Sequence, residues 1–565
     1  GLENVDLDIK NNNVIMGVYD DTGKTRTWYN STDTGTAPAT FNSGLEGVNK
    51  FHGITYTNGA TFYTVVLKNG KLNVNAPTVT LDDINDKYNG IKMANEVVTI
   101  SNSTNVTGNV SSSNIKGQGL SMGNLSTATQ TAAGITPSNA TSGFKNEGTV
   151  NVTGGTTANG IAGMNVSYGT IKNGTSKGST ATVTIDNGAG IYGTNGSKLE
   201  NFGTINVTGS GAGVAARGTD KNTKQYYGTD DANFTHTPYT INIENHGAIN
   251  VAGNNPVGIY AENNTQAGRD KVIVKNDSQL TVGNDGVGIA VLSSPIETGQ
   301  KQGTPLVSVA GVNHGAGSDQ GGTITVTASG AGSDIITGAN GKGIYAEDSD
   351  INLTGGDYVI ETKEKGIGIF ASGNTKVNGI LEYKYNGSST GTGMGIVYDQ
   401  DKASNLTNYA NVKLTNSTNT TGGMVGLYTT AAAGNKFVNN GNVEGKSTVL
   451  EFGIVTNGAD VENAGKITLG DATKQAEANV GIYAKAKNKI SNSGTITVGN
   501  NAIGIYGYNV DNNGTIKAGD NGAAIYTQDD GTVNLNGGST VKVGGSQAVG
   551  VYAVGTNQNL NANAG

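Results

Sequence analysis

The stretch "NSGTITVGNNAIGIYGYNVDNNGTIKAGDNGAAIYT", residues 492–527, contains two marks, each occurring twice. One is Asn-x-Gly leading into an alternating run, in "NSGTITV" (492–498) and "NNGTIKA" (512–518). The other is a small residue followed by an aliphatic residue and tyrosine, in "AIGIYG" (502–507) and "AAIYT" (523–527). The second mark recurs as "AGIYG" (189–193), "VGIYAE" (257–262), "KGIYAE" (342–347), "VGIYAK" (480–485) and "VGVYAV" (549–554). Its glycine stands at 343, 368, 395, 426, 453, 481 and 504; Ala524 then replaces it, and Gly550 follows. The first mark also appears at 146–152, 201–207, 245–251 and 463–469, and its Asn lies 12 to 18 residues before the next Gly-aliphatic unit. Two marks held in nearly fixed phase define one supersecondary unit repeated many times.

Each repeat carries at least two short strands separated by Gly and Asn turns. No window shows apolar residues at helical spacing with capping signals, and Gly or Asn interrupts each candidate. A propeller blade needs four strands and about forty residues, more than this repeat supplies. The pattern therefore predicts an all-β fold, a right-handed parallel β-helix (β-solenoid) with inserted loops, each repeat one coil of the stack. Alternation then assigns faces. The strictly aliphatic position (Ile259, Ile344, Ile505) points into a narrow core, and the looser position after it (Tyr260, Phe370, Val455) points outward. Ile205 with Val207, and Ile496 with Val498, are the inward pair of the other strand. The glycines are expected to supply positive φ at coil corners, and the asparagines to stack coil on coil.

Composition narrows the class. The chain has 565 residues, 89 of them glycine, with 14% charged residues and no cysteine. Its 23 tyrosines and regularly placed Val and Ile argue against disorder. A net charge of −8 without a basic stripe excludes nucleic acid as a natural partner. No run is apolar and long enough for a membrane helix. Absence of cysteine suits a protein that crosses an oxidising periplasm unfolded. The start, "GLENVDLDIK", lacks the features of a secretion signal, and "NLNANAG" ends within a repeat, so a piece of something longer is expected.

Three regions follow: 1–145, an irregular β-helix section or N-terminal cap with an inserted loop at 20–40; 146–342, decorated β-helix with inserts at 217–240 and 291–322; and 343–565, a regular shaft. Insertions in solenoids fall on one face, often the binding face. The first insert carries Trp28 and Tyr29, and the second opens on Arg217 and holds Tyr226, Tyr227, Phe234, His236 and Tyr239. Aromatic rings among Asn and Asp suit adaptable recognition, which makes these eight residues the candidate partner-binding positions. A folded-back loop with a small core of its own is the competing reading for 217–240.

Catalysis finds little footing. Acidic pairs at 347–350, 398–401 and 527–530 share no common offset, and they read as soluble turns. Neither a nucleophile motif with a partner His nor Cys/His metal spacing occurs, so no catalytic residue, metal or cofactor is expected. His246, at the variable position of Asn-x-Gly, reads as an exposed turn residue. Stacked outward tyrosines (Tyr483, Tyr506, Tyr526, Tyr552) are expected to stabilise the stack through ring contacts, with sugar binding the alternative.

The quoted repeats (492–527) resemble the passenger repeats of type V autotransporters, most closely the very large surface adhesins of fusobacteria. The resemblance is dense from about 146 to 565 and thin before that. It implies a surface-exposed rod anchored to the bacterial outer membrane through a β-barrel C-terminal to this stretch. It also implies adhesion, to host-cell receptors including those of immune cells, to glycans, or to other bacteria. A carbohydrate-active β-helix enzyme and a plain structural spacer are the alternatives.

Overall fold

The computed structural model describes residues 143–563 apart from 154–160, 168–169, 195–196, 218–239, 263–270, 293–324, 330–332 and several shorter corner segments; before residue 143 it describes strands only. The protein is all-β, a parallel β-solenoid. One coil shows the plan. Val480–Ala484 is the Gly-Ile-Tyr strand, Lys489–Asn492 follows it, and Thr495–Val498 completes the turn. Each pairs in parallel with its counterpart one coil on: Ile482 with Ile505, Ile490 with Val510, Ile496 with Ile516. A coil therefore has three strands where the sequence marks two. The unmarked one, here called the asparagine strand, is the short run that ends on the Asn of Asn-x-Gly.

The chain forms two compact units, residues 1–283 with 293–324 and residues 284–292 with 325–565. Parallel pairing extends into the first 142 residues, where Lys71–Asn75 lies beside Val97–Ile100. Met16–Asp20 instead pairs antiparallel with Thr25–Tyr29, so Trp28 and Tyr29 belong to a strand of a hairpin.

Inward positions are as the alternation predicts, with Ile191, Ile259, Ile344, Ile396, Ile482 and Ile505 all fully buried, but Tyr260, read as outward, is fully buried too and donates its hydroxyl to Glu262 at 3.1 Å. The role of the glycine before the inward residue differs from expectation. Gly190, Gly481 and Gly504 are not among the positive-φ residues, and the strand register steps over the Gly481–Gly504 pair. The constraint is space. A Cβ at Gly481 would meet the Gly504 carbonyl oxygen of the next coil at 2.4 Å and Ile496 Cγ2 of the facing strand at 2.7 Å. The glycine thus lets two walls of a narrow coil close on each other.

The asparagines stack as expected, and more completely. In the first unit Nδ2 of Asn146 donates to Oδ1 of Asn173, then Asn173 to Asn201, Asn201 to Asn245 and Asn245 to Asn276, at 2.7–2.8 Å. In the second unit the same chain runs Asn408, Asn439, Asn463, Asn492, Asn512 at 2.8–2.9 Å. In the second unit the other proton of each amide goes to the carbonyl two residues on, for example Asn439 to Gly441 at 3.0 Å, whereas Asn146 and Asn173 donate theirs to the Thr182 and Thr204 carbonyls. These side chains are buried, so every donor needs a partner. Asparagine alone among the small residues offers two donors and an acceptor in that geometry.

Candidate interaction surface

Two of the inserts share a point of departure. A plain coil joins Gly188–Thr194 to Lys198–Asn201 through three residues. One coil later Gly211–Arg217 is followed by 218–239 before Thr240–Asn245, and in the next Val257–Glu262 is followed by 263–270 before Lys271–Asn276. Residues 293–324 likewise separate Val287–Leu292 from Thr325–Ser329. The first two leave between a Gly-Ile-Tyr strand and an asparagine strand, and the third lies between a Gly-Ile strand and Thr325–Ser329, which ends on serine. Arg217 ends its strand in register with Glu262. Tyr226, Tyr227, Phe234, His236 and Tyr239 lie outside the described residues, as does the 291–322 insert beyond its first two positions, which belong to the strand Val287–Leu292.

His246 is more than a turn residue, which corrects the reading from sequence. Its ring stacks on Phe202 of the preceding coil with centroids 4.8 Å apart, and its Nδ1 meets Asp277 Oδ2 of the following coil at 2.8 Å. Lys172 Nζ lies 4.9 Å from the centre of the Phe202 ring, and Lys177 approaches Asp277 at 3.9 Å. Phe202, His246 and Asp277 each follow the ladder asparagine of their coil, the first two within Asn-x-Gly, and the column laces these corners together outside the amide ladder. No sequence window shows it, because Phe202 and His246 are 44 residues apart.

Four described members of the acidic pairs are engaged, three of them between coils. Asp399 Oδ1 accepts from the Thr430 hydroxyl at 2.8 Å, Asp529 Oδ1 from the Thr556 amide at 3.0 Å, and Asp530 pairs with Lys487 at 2.7 Å. Glu347 hydrogen-bonds Tyr345, whose hydroxyl burial, helped by the charges of Glu347 and Asp399, pushes well above its ordinary range. Among the described residues no group of three or more His, Asp or Glu could hold a metal ion.

The outward tyrosines form a true stack. Tyr483 and Tyr506 are 5.0 Å apart and nearly parallel, Tyr506 and Tyr526 4.9 Å, Tyr526 and Tyr552 5.3 Å. Ring faces are covered by their neighbours, leaving edges and hydroxyls outward. Burial and the adjacent phenols push the Tyr506 hydroxyl above its usual range. Gln528 bridges it to Tyr508, donating to Tyr506 and accepting from Tyr508 at 3.1 Å. A sugar needs an open ring face to stack on, and only Tyr552, 48% exposed at the last coil, has one. This geometry favours the structural role of the ladder. Compared with known protein families, characterised proteins and solved structures, the chain matches none.

Proposed function

We propose that this chain is a non-enzymatic segment of a bacterial cell-surface adhesin, a solenoid that presents its inserts to host receptors, glycans or partner bacteria. On this reading it is an autotransporter passenger, held at the outer membrane by a barrel beyond its C-terminal side. The observation that carries the proposal is that, in successive coils of the first unit, 218–239 and 263–270 both leave between a Gly-Ile-Tyr strand and an asparagine strand. Segments inserted between the rigid strands of a solenoid are where a scaffold commonly carries its recognition residues. The engaged carboxylates support a binding role over hydrolysis, and the resemblance of the repeats supports the surface location.

The test replaces 218–239 with the three-residue corner of the preceding coil, and in a second variant shortens 20–40, then measures binding to host cells and to partner bacteria. Loss of adhesion with an unchanged β circular-dichroism spectrum is the expected result. Undiminished adhesion in both variants would sink the presented-loop reading in favour of a spacer. Release of reducing ends from polysaccharides by the intact chain would point instead to an enzyme.

A further inference from the structure

We infer that Tyr483, Tyr506, Tyr526 and Tyr552 form a one-electron relay and a tyrosine modification site. Oxidation by a small radical at the exposed ring is passed inward along the stack and fixed as a nitro group on half-buried rings. The relay is independent of the inserts and of any adhesive role.

Register brings the phenols together. Successive Gly-Ile-Tyr strands pair in parallel, so Tyr483 lies beside Tyr506, Tyr506 beside Tyr526 and Tyr526 beside Tyr552. Their ring centroids are 5.0, 4.9 and 5.3 Å apart, within the range of offset stacking. The first two pairs are within 19° and 8° of parallel. Rings in such contact overlap through their π-systems, and an electron passes between them without crossing solvent or backbone. Gln528 joins a fifth phenol to the group, donating to the Tyr506 hydroxyl and accepting from Tyr508.

Other tyrosines show what the relay requires. Tyr428 stands in the same column with Val397 on one side and Val455 on the other. Tyr345 stacks on Phe370 and Tyr398 leans on Phe437, rings with no phenol proton to give up. Packing alone is served by phenylalanine at this position, as Phe370 shows. Four phenols in successive coils add a redox chemistry that packing does not ask for.

The oxidant is the carbonate radical anion, and nitrogen dioxide is the second radical. The first takes an electron and a proton from a phenol, giving bicarbonate and a tyrosyl radical. An electron and a proton from the neighbouring phenol then restore the first ring and carry the radical one coil on. Nitrogen dioxide forms a C–N bond with the ring carbon beside the oxygen. That carbon loses its hydrogen as a proton and the oxygen regains one, leaving nitrotyrosine. Tyr552 is 48% exposed and takes up the oxidant, whereas Tyr483, Tyr506 and Tyr526 are half-buried.

Peroxynitrite in bicarbonate buffer releases both radicals. The full chain is treated to less than one nitro group per molecule and its peptides are mapped by mass spectrometry. Tyr506 and Tyr526 should carry several-fold more nitrotyrosine than Tyr428, although all three are half-buried in one column. Tyr526→Phe keeps a ring in place but breaks the run of phenols. Nitration at Tyr506 should then fall to the Tyr428 level, and that at Tyr552 should rise. Product that follows exposure alone, with Tyr506 no richer than Tyr428, overturns the proposal. So does nitration at Tyr506 that is unchanged in a folded Tyr526→Phe chain. The comparison with Tyr428 uses the unaltered chain, and it decides even if Tyr526→Phe fails to fold.

Discussion

Within the second unit, the coils over 350–398 and those over 439–512 solve the same interior problem in different ways. The later coils run a polar ladder along the axis through Asn439, Asn463, Asn492 and Asn512. The earlier coils fill the lumen with rings: Tyr358, Tyr383, Tyr385 and Tyr398 are all fully buried. Tyr383 there shares a 2.8 Å hydrogen bond with Thr362 and donates to the Gly366 carbonyl at 2.7 Å. Its ring reaches the opposite wall, where a Cβ at Gly368 would lie 2.9 Å from it. The two solutions meet at Tyr398, whose hydroxyl donates to Asn408 at 2.7 Å and starts the ladder. In the ring-filled coils stability is held mainly by volume, with the Tyr383–Thr362 bond tying one coil to the next. In the laddered coils it is shared between neighbours through amides.

The largest expected effect tests the ring-filled coils. Tyr383→Ala should cost about 3–5 kcal/mol of local stability through the cavity it leaves, with the Thr362 hydroxyl and Gly366 carbonyl losing a partner. Native-state hydrogen exchange should place the loss mainly in Asp350–Thr362 and Lys376–Tyr385. Asn463→Ala should cost less, roughly 2–4 kcal/mol, because it strands one donor of Asn439 and one acceptor of Asn492. Its protection loss should spread over three coils. Equal spread in the two variants would erase the distinction between local volume and shared amides.

The smallest effect concerns the outside of the laddered coils. Burial works to raise the Asp511 carboxyl, but hydrogen bonds from Lys489 and Asn534 outweigh it and hold the group below its ordinary value. A depressed carboxylate contributes stability that is present above the unfolded pKa of about 3.9 and lost as pH falls through the lower folded value. Lys489→Ala should therefore cost under ~1 kcal/mol at neutral pH, given the exposure of the pair. The deficit should vanish in urea titrations run at acid pH. A deficit of the same size on both sides of that range would assign the effect to packing of the lysine stem.

Much of this plan was legible in the residues. The Gly-Ile-Tyr mark located one strand of each coil and its inward Ile, because an aliphatic-only site in a period-two run has one physical meaning. The asparagine strand escaped notice since "KISN" and "DVEN" are too short, at four residues, to establish alternation. The glycine was assigned the wrong constraint. A requirement for positive φ and a requirement for no Cβ leave the same letter in a sequence, and only the facing wall separates them. The buried tyrosines were hidden for a related reason. In "ILEYKY" (380–385) tyrosine alternates with charged residues, and an amphipathic ring suits either face. The Phe202–His246–Asp277 column depends on residues brought together only by coiling. The shared exit corner of 218–239 and 263–270 became visible once each strand had its place in the coil.

The amide ladder has a direction. Every Nδ2 in both series points to the later coil and every Oδ1 to the earlier one. The side-chain dipoles are therefore aligned head to tail, and each bond polarises the next. A newly forming coil at the C-terminal side finds a donor already oriented and needs only to offer an oxygen, whereas one forming at the N-terminal side must bring its own aimed proton. The stack is thus polar as a growing object, with a front that accepts new material and a rear that does not do so equally.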